Sequence, residues 1–107
     1  MREDTRWTTR DRDGNPIYLT DERWQHVCDH HPEMEPYEAQ LRETIRMGKR
    51  RQDSLNPQKY RYLLRCAGLP EHNTHVEAIV LFRLGQDADG RLMPNNYIVT
   101  AYQKHIG

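Results

Sequence analysis

Residues 19–33 of the chain read LTDERWQHVCDHHPE, and this stretch decides the predicted fold. Thr20 has the side chain of a helix N-cap, and the two carboxylates that follow it would lie in a favourable first turn. The next apolar side chains have the i, i+3, i+4 spacing of one helical face: Trp24, Val27 and Cys28. Because Pro32 disfavours helical backbone at the residue before it, the helix is expected to end near His31. The stretch therefore predicts one short amphipathic helix.

Three histidines lie on or beside this helix: His26, His30 and His31. Histidine is the side chain whose unperturbed pKa lies nearest to neutral pH, so it is the usual proton carrier in catalysis. The spacing of His26 and His30 places both rings on one helical face, where they could bind zinc, although Val27 stands where metalloproteases carry glutamate. Most surface histidines are neither ligands nor catalysts. The cluster alone therefore leaves catalysis, metal binding and an ordinary surface open.

Upstream of the helix the sequence predicts a short β-hairpin. Asp13-Gly14-Asn15 is a turn signal, and residues 6–10 and 16–19 flank it as candidate strands. We predict residues 1–16 as an N-terminal extension or hairpin arm, and residues 17–107 as a single domain.

Downstream, a second helix is predicted to begin around Glu35-Pro36, because proline is tolerated in the first turn. Its buried side chains would repeat every four residues: Tyr37, Leu41 and Ile45. Gly48 suits the C′ position that ends a helix. Residues 49–58 are polar and contain the breaker Asn56-Pro57, so a linker is predicted there.

Beyond the linker the hydrophobic period changes from that of helices to that of strands. Strands are predicted at residues 59–67, 75–84 and 96–103, with turns at residues 68–70 and 87–90. Helices followed by a run of successive strands are typical of α+β folds. The predicted fold is α+β, with two N-terminal helices packed on one face of a mainly antiparallel sheet.

Composition limits the function classes. The 107 residues contain 16 Lys+Arg and 16 Asp+Glu, so the formal net charge is zero and only local charge can point to a partner. The chain has neither an apolar run long enough for a membrane span nor a glycine-rich phosphate-binding motif. The polar start at residues 1–4 lacks a signal-peptide core, and Cys28 and Cys66 form no CxxC pair. These features predict a cytoplasmic protein with reduced thiols and no contact with a membrane.

Alternation along the strands predicts the two faces of the sheet. The side chains expected under the helices are Tyr60, Tyr62, Leu64, Cys66, Ala78, Val80, Phe82, Leu84, Val99 and Ala101. The other face would carry Arg61, Arg65, Arg83, Thr100 and Tyr102, together with Leu63, Glu77, Ile79, Leu81 and Ile98. This would be a concave face with cations, a hydroxyl and a phenol, and an ordinary solvated sheet face is the alternative.

Local charge is less balanced than the total. Residues 42–65 contain eight basic side chains against Glu43 and Asp53, and the run Lys49-Arg50-Arg51 directly follows the second helix. This run leads into the strand that carries Arg61 and Arg65. The coincidence favours a phosphate-binding patch over an ordinary solvated loop.

The chain resembles a known nuclease superfamily. The motif covers LTDERWxHVxxxHPEM at residues 19–34, YxY at residues 60–62, the apolar strand 78–82 and IVTAY at residues 98–102. In these features it is similar to the phage-type members of the barnase/EndoU/colicin E5-D/RelE-like (BECR) superfamily, over most of the chain from Ile17 onward. The fold of that family, two N-terminal helices followed by an antiparallel sheet, agrees with the predicted one.

The resemblance implies a metal-independent endoribonuclease, a hydrolase without a cofactor that cleaves RNA through attack by the 2′-hydroxyl. It implies RNA as the partner and, as in several toxin branches of the superfamily, an antitoxin or immunity protein. The main alternative is a non-catalytic RNA- or protein-binding module on the same fold. The second is a small metal-binding regulatory protein that uses His26 and His30.

Residue roles are carried over from the family position by position. His31 matches the helix-terminal histidine and is the candidate base or acid, while either Arg61 or Arg65 matches the basic position on the first long strand. Thr100 and Tyr102 match the hydroxyl and the aromatic residue of the last strand. The expected substrate-binding residues are His30, Arg65, Lys49, Arg50, Arg51 and Arg83. His30 stands where arginine is frequent in the family, which would weaken phosphate binding or add a second proton carrier.

Overall fold

A computed structural model describes residues 4–107; the first three residues of the predicted N-terminal extension, and of the polar start, lie outside this part. The elements in chain order are β1 (Thr5–Arg10), β2 (Pro16–Thr20), α1 (Asp21–His30), a 3₁₀ helix (Pro32–Tyr37), α2 (Glu38–Met47), β3 (Lys49–Gln52), β4 (Lys59–Arg65), β5 (His75–Leu81), β6 (Leu84–Gln86), β7 (Leu92–Pro94) and β8 (Asn96–Lys104). Within these residues, no helix is long and apolar enough to cross a membrane.

The main sheet confirms the predicted fold class. Its six strands lie in the order β1-β2-β8-β5-β4-β3. Every neighbouring pair is antiparallel except β2 and β8, which are parallel. The two helices contact the strands on one side, α1 against β2 and β8 and α2 against β1, β4 and β5. The predicted hairpin at the N-terminus is present as β1 and β2, and it belongs to the same sheet.

The first helix begins and ends where the sequence predicts. The Thr20 hydroxyl accepts a hydrogen bond from the backbone N–H of Arg23 at 3.0 Å, which is the N-cap bond. The last helical residue is His30, and the backbone of His31 leaves helical geometry with φ −135°. Trp24 and Val27 bury the apolar face of α1 in the core.

The second helix begins later than predicted. Pro36 lies inside the 3₁₀ helix, and the α-helix starts only at Glu38. In an α-helix, the ring of Pro36 would clash with the carbonyl four residues earlier, so the tighter 3₁₀ form carries the chain to Tyr37. Leu41 and Ile45 are fully buried as expected, and Tyr37 packs partly buried against them.

Gly48 ends α2 for a reason other than the left-handed geometry of a C′ residue. Its backbone is extended, with φ −70° and ψ 159°. A Cβ atom there would lie 2.4 Å from the Thr44 carbonyl oxygen and 2.9 Å from that of Leu63. Glycine is therefore required because α2 and β4 approach the backbone closely at this residue.

The predicted linker at residues 49–58 is wrong over its first four residues. Lys49–Gln52 is the edge strand β3, and it pairs antiparallel with β4, with Lys49 opposite Leu63 and Arg51 opposite Arg61. Its polar run has no apolar alternation, so only the ladder with β4 defines it as a strand. A second omission is the short hairpin of β6 and β7 around the predicted turn at residues 87–90.

The face predictions hold for most of the core and fail at one bulge and at Leu84. Leu84 is 68% exposed, because β5 ends at Leu81 and Leu84 belongs to the separate sheet of β6 and β7. Tyr62, Ala78, Val80 and Ala101 are buried under the helices as predicted. The register between β5 and β8 skips Val99, because Ile79 pairs with Thr100 while Val80 pairs with Ile98. This bulge turns Ile98 into the core beside Ala101, contrary to strict alternation.

The turn between β1 and β2 contacts β3 and β4, which lie at the opposite end of the strand order. The Tyr62 hydroxyl on β4 donates a hydrogen bond to Asp11 Oδ2 at 2.6 Å. The same carboxylate accepts hydrogen bonds from Asn15 and from the backbone of Asp13. Burial opposes ionisation of Asp11, but the bonds from Tyr62 and Asn15 outweigh it and hold the pKa of Asp11 below its usual value. Arg50 of β3 lies 3.3 Å from the carboxylate of Asp13.

Candidate nucleic-acid interface on the open sheet face

The sheet face opposite the helices, here called the open face, carries most of the predicted site residues. Residues directly opposite each other on neighbouring strands share a face. Three adjacent rows on the open face are Arg51–Arg61–Ile79–Thr100, Lys49–Leu63–Glu77–Tyr102 and Arg65–His75–Lys104. Lys59 lies on the same face of β4, opposite Leu81.

Glu77 lies at the centre of these rows and is only 6% exposed. The Tyr102 hydroxyl donates a hydrogen bond to Glu77 Oε1 at 2.5 Å. Lys104 Nζ lies 3.6 Å and Arg61 Nη1 lies 3.8 Å from the same oxygen. A buried carboxylate is costly unless it is hydrogen-bonded and paired with cations, and these three contacts provide both.

Tyr102 connects Glu77 with two other predicted residues. Arg61 Nη1 donates to the Tyr102 oxygen at 3.4 Å, and the ring centroid of His31 lies 5.5 Å from that of Tyr102. Burial, followed by the hydrogen bond to Glu77, raises the pKa of Tyr102 above its usual value, so the phenol stays protonated at neutral pH. His31 reaches this ring because it follows α1, which packs against β8.

His31 also lies beside a carboxylate. Glu33 Oε2 lies 3.8 Å from His31 Nδ1. A carboxylate at this distance can orient the histidine ring. His31, Tyr102 and Glu77 thus form a continuous series of polar side chains from the end of α1 to the middle of β5.

A cleft of about 460 Å³ opens beside Glu77 on the open face. Its lining includes the cations Lys49, Arg50, Arg51, Arg61 and Lys104. In the strand rows around Glu77, six cations stand against Glu77 and the neighbouring Asp53: Lys49, Arg51, Lys59, Arg61, Arg65 and Lys104. This side of the molecule is therefore locally basic although the chain has no net charge.

Asp53 offsets part of this charge at the margin. Its carboxylate lies 3.7 Å from Arg61 Nη2 and 4.0 Å from Lys59 Nζ. The backbone N–H of Leu55 is the largest influence that holds the pKa of Asp53 below its usual value, and the two cations add to it. Asp53 therefore anchors one side of the Arg61 guanidinium while Tyr102 contacts the other.

The structure separates the two arginines that the sequence left open. Arg61 contacts both Tyr102 and Glu77, whereas Arg65 lies one row away, opposite His75. Burial, followed by the charges of Arg65 and Lys104, lowers the pKa of His75 and so keeps its ring neutral. Of the two, only Arg61 is positioned to act together with Glu77.

Arg50 borders the cleft, but its guanidinium lies on the other face of β3. It lies opposite the buried Tyr62, so its side chain is directed to the helix side of β3. The guanidinium carbon lies 4.6 Å from the ring centroid of Tyr60 and 5.4 Å from that of Phe82. Alternation along β3 thus divides the Lys49-Arg50-Arg51 run between the two faces.

Two further predicted residues lie away from the Glu77 cluster. Arg83 comes after the end of β5 at Leu81, where its backbone N–H donates to Asn96 Oδ1. His30 is exposed, and its Nδ1 lies 3.0 Å from the carbonyl oxygen of His26. Thr100 does share the open face, two residues from Tyr102 on β8.

Glu77 is the residue that sequence reasoning missed. A signal was available, because a lone carboxylate interrupts the apolar run of β5 at the same parity as the expected open face. Alternation assigned it to the right face but not to a buried position. Its burial depends on Tyr102 and the flanking cations, which no local pattern reveals.

The two histidines considered for zinc are close in space. The ring centroids of His26 and His30 lie 4.2 Å apart on α1. Among residues 4–107, however, no group of three or more His, Cys, Asp or Glu side chains is placed to hold a metal ion.

Comparison with known proteins was made at three levels. No family model matches the chain, and neither the curated proteins nor the solved structures contain a match to it. Function is therefore inferred from the described side chains and their geometry.

Proposed function

We propose that the open face binds RNA and that the protein is a metal-independent endoribonuclease. The observation that carries the proposal is the environment of Glu77, a nearly buried carboxylate that is hydrogen-bonded by Tyr102 and flanked by Arg61 and Lys104. A proton acceptor held among cations at the centre of a basic face suits attack on a phosphodiester.

Binding of the RNA backbone falls to the cations of the cleft. Lys49, Arg51, Arg61 and Lys104 surround it, and several such contacts give salt-dependent affinity for a polyanion. Arg61 is suited to the scissile phosphate, because the guanidinium fork can donate two parallel hydrogen bonds to phosphate oxygens. Asp53 and Tyr102 hold that guanidinium from two sides.

In the proposed reaction, the protein accepts one proton from the RNA and donates another to it. Glu77 takes the proton of the 2′-hydroxyl, and the 2′-oxygen attacks phosphorus. All three contacts to Glu77 are made to Oε1, so Oε2 is the accepting oxygen. Arg61 and Lys104 stabilise the charge that develops on the phosphorane. Protonated His31 gives its proton to the departing 5′-oxygen, which leaves a 2′,3′-cyclic phosphate and a 5′-hydroxyl.

Tyr102 and Thr100 have supporting roles in this scheme. Because its pKa is raised, Tyr102 keeps its proton and orients the Glu77 carboxylate through the 2.5 Å hydrogen bond. Thr100 lies on the same face two residues away and offers a hydroxyl to a phosphate oxygen.

A non-catalytic RNA-binding module is the second candidate, and one observation favours it. His31 contacts the ring of Tyr102, but it is not among the residues that line the cleft beside Glu77. If the imidazole does not reach the leaving oxygen, the same basic face binds RNA without cleaving it.

The test is incubation of the purified protein with an end-labelled, structured RNA in excess EDTA. Cleavage to products that end in 2′,3′-cyclic phosphate is expected, because no step uses a metal. RNA that is retained on the protein at low salt but not cut would refute the nuclease and support the binding module. If the protein neither cleaves nor retains the RNA, both candidate functions are excluded.

Three variants assign the roles. Glu77→Gln and His31→Ala should each lower kcat/KM by roughly 10²- to 10⁴-fold, the usual contribution of a positioned acid or base. Tyr102→Phe should give a smaller loss, since it leaves both proton carriers in place. Glu43→Gln is the matched control, because Glu43 pairs with Arg46 on the exposed surface of α2. Unfolding midpoints in urea separate lost chemistry from lost structure, and a Glu77→Gln protein with full activity would exclude Glu77 as the base.

A further inference from the structure

A second pocket lies where the open face meets the first turn of α1, away from Glu77. It has a volume of about 420 Å³, and it is lined by Tyr18, Tyr97, Asn95 and Thr20, by the cations Arg23 and Arg83, and by the carboxylates of Asp4 and Glu22. This size is within the usual range of small-molecule sites. The two aromatic rings can stack on a nucleobase, and the guanidinium and carboxylate groups can donate to and accept from its polar edges. Because two carboxylates balance the two arginines, the pocket suits an uncharged base better than a phosphate.

The strand register places both tyrosines on the open face. Tyr18 of β2 is directly opposite Tyr97 of β8, and Tyr97 is opposite Leu81 of β5. Their chain neighbours Ile17 and Ile98 are fully buried under the helices, so Tyr18 and Tyr97 are directed the other way. Both rings are partly exposed.

The two rings are held in place but do not stack face to face. Their centroids are 5.9 Å apart and their planes are inclined by 38°. The Tyr18 hydroxyl donates to Asn95 Oδ1 at 2.9 Å, and the backbone N–H of Asn95 donates to the Arg83 carbonyl at 2.7 Å. Because the two rings are tilted, one of them can stack on the face of a base while the other contacts the edge of that base.

The distance from the proposed catalytic centre suits an RNA strand. Leu81, opposite Tyr97, is four residues from Glu77 along β5, which corresponds to roughly 13 Å. Lys59 lies on the same row beyond Leu81, and Arg61 lies between this row and Glu77. A backbone that crosses the face from the cleft therefore meets cations before it reaches the pocket.

We infer that this pocket binds an unpaired nucleobase that flanks the scissile phosphate, so that the substrate is single-stranded RNA longer than a dinucleotide. The inference rests on the proposed function for its catalytic readout. Stacking on Tyr97 requires an unstacked base, which a continuous RNA duplex does not offer. Arg83, one of the expected substrate-binding residues, contributes to base binding in this arrangement.

The experiment compares two substrates in EDTA: a dinucleotide, and a single-stranded RNA of about ten nucleotides with one fluorescent base analogue. Tyr97→Ala should lower kcat/KM for the longer RNA by roughly 5- to 150-fold, the effect of one lost base stack, and leave the dinucleotide unchanged. Tyr97→Phe keeps the ring and should behave as wild type. Met47→Ala, at the exposed end of α2, is the control for an unrelated surface change.

The outcomes separate the inference from the proposed function. Equal cleavage of both substrates by wild type and Tyr97→Ala would overturn the base pocket and leave the nuclease standing. Binding of the longer RNA that weakens in Tyr97→Ala, without any cleavage, would support the pocket and overturn the nuclease. A wild-type protein that neither binds nor cleaves either RNA would overturn both.

Discussion

Removing the Tyr62 hydroxyl should destabilise the protein by about 2 kcal/mol. The Tyr62→Phe change deletes the 2.6 Å hydrogen bond to Asp11 and leaves the ring in the core. A hydrogen bond to a charged group contributes roughly 1.5–3 kcal/mol. Asp11 keeps its bonds from Asn15 and from the backbone of Asp13, so its carboxylate stays partly satisfied and the loss should fall in the lower half of that range.

Urea unfolding at pH 7 and at acid pH measures this loss. The pKa of Asp11 is lowered in the folded state, so its ionised form stabilises the protein at every pH above its unfolded pKa of about 3.9. That contribution disappears as the pH falls through the folded pKa. The difference between wild type and Tyr62→Phe should therefore be constant from neutral pH down to about 4 and shrink below it.

Tyr60→Phe is the matched control, because Tyr60 lies two residues earlier on the same face of β4 and packs against Phe82 through its ring. It should change the free energy of unfolding by less than about 0.5 kcal/mol. If Tyr62→Phe also left the free energy of unfolding unchanged at pH 7, the hydrogen bond from Tyr62 to Asp11 would not hold the turn between β1 and β2 against β4. That result would refute the reasoning.

Two other substitutions test adjacent features. Arg51→Ala should weaken RNA binding and reduce the slope of log K against log salt by about 1, with the unfolding midpoint unchanged. Arg50→Ala should leave RNA binding unchanged and lower the free energy of unfolding by roughly 1 kcal/mol, since Arg50 lies over aromatic rings. If both variants lost the same RNA affinity, the division of β3 between two faces would be contradicted. Gly48→Ala should cost about 1–3 kcal/mol, because its Cβ would lie 2.4 Å from the Thr44 oxygen; an unchanged urea midpoint would show that α2 can move away.

The parts of the fold with local signals could be predicted from the sequence. The hairpin turn at Gly14, the N-cap Thr20 and the break before Pro32 each depend on the preferences of one or two residues. The order of the elements then gave the α+β class. These features do not depend on where the rest of the chain lies.

The parts that depend on distant partners could not be predicted. β3 is a strand because β4 pairs with it, and the bulge at Val99 exists only in the ladder with β5. For the candidate site, alternation found the face of Arg61 and Tyr102. The burial of Glu77 required contacts between three strands, which a single sequence does not display.

The central position of β8 has a consequence for how the chain folds. β8 alone joins the hairpin of β1 and β2 to the sheet of β3, β4 and β5 within the described strands. The hydrogen bond from the Asn96 side chain to the Pro16 carbonyl spans 80 residues of sequence. Closing so long a loop has a large entropic cost before any pairing compensates it, and such non-local topologies fold slowly. During synthesis, the edge of β2 that pairs with β8 stays unpaired until β8 has been made. This edge is therefore the surface most exposed to misassociation in the nascent chain.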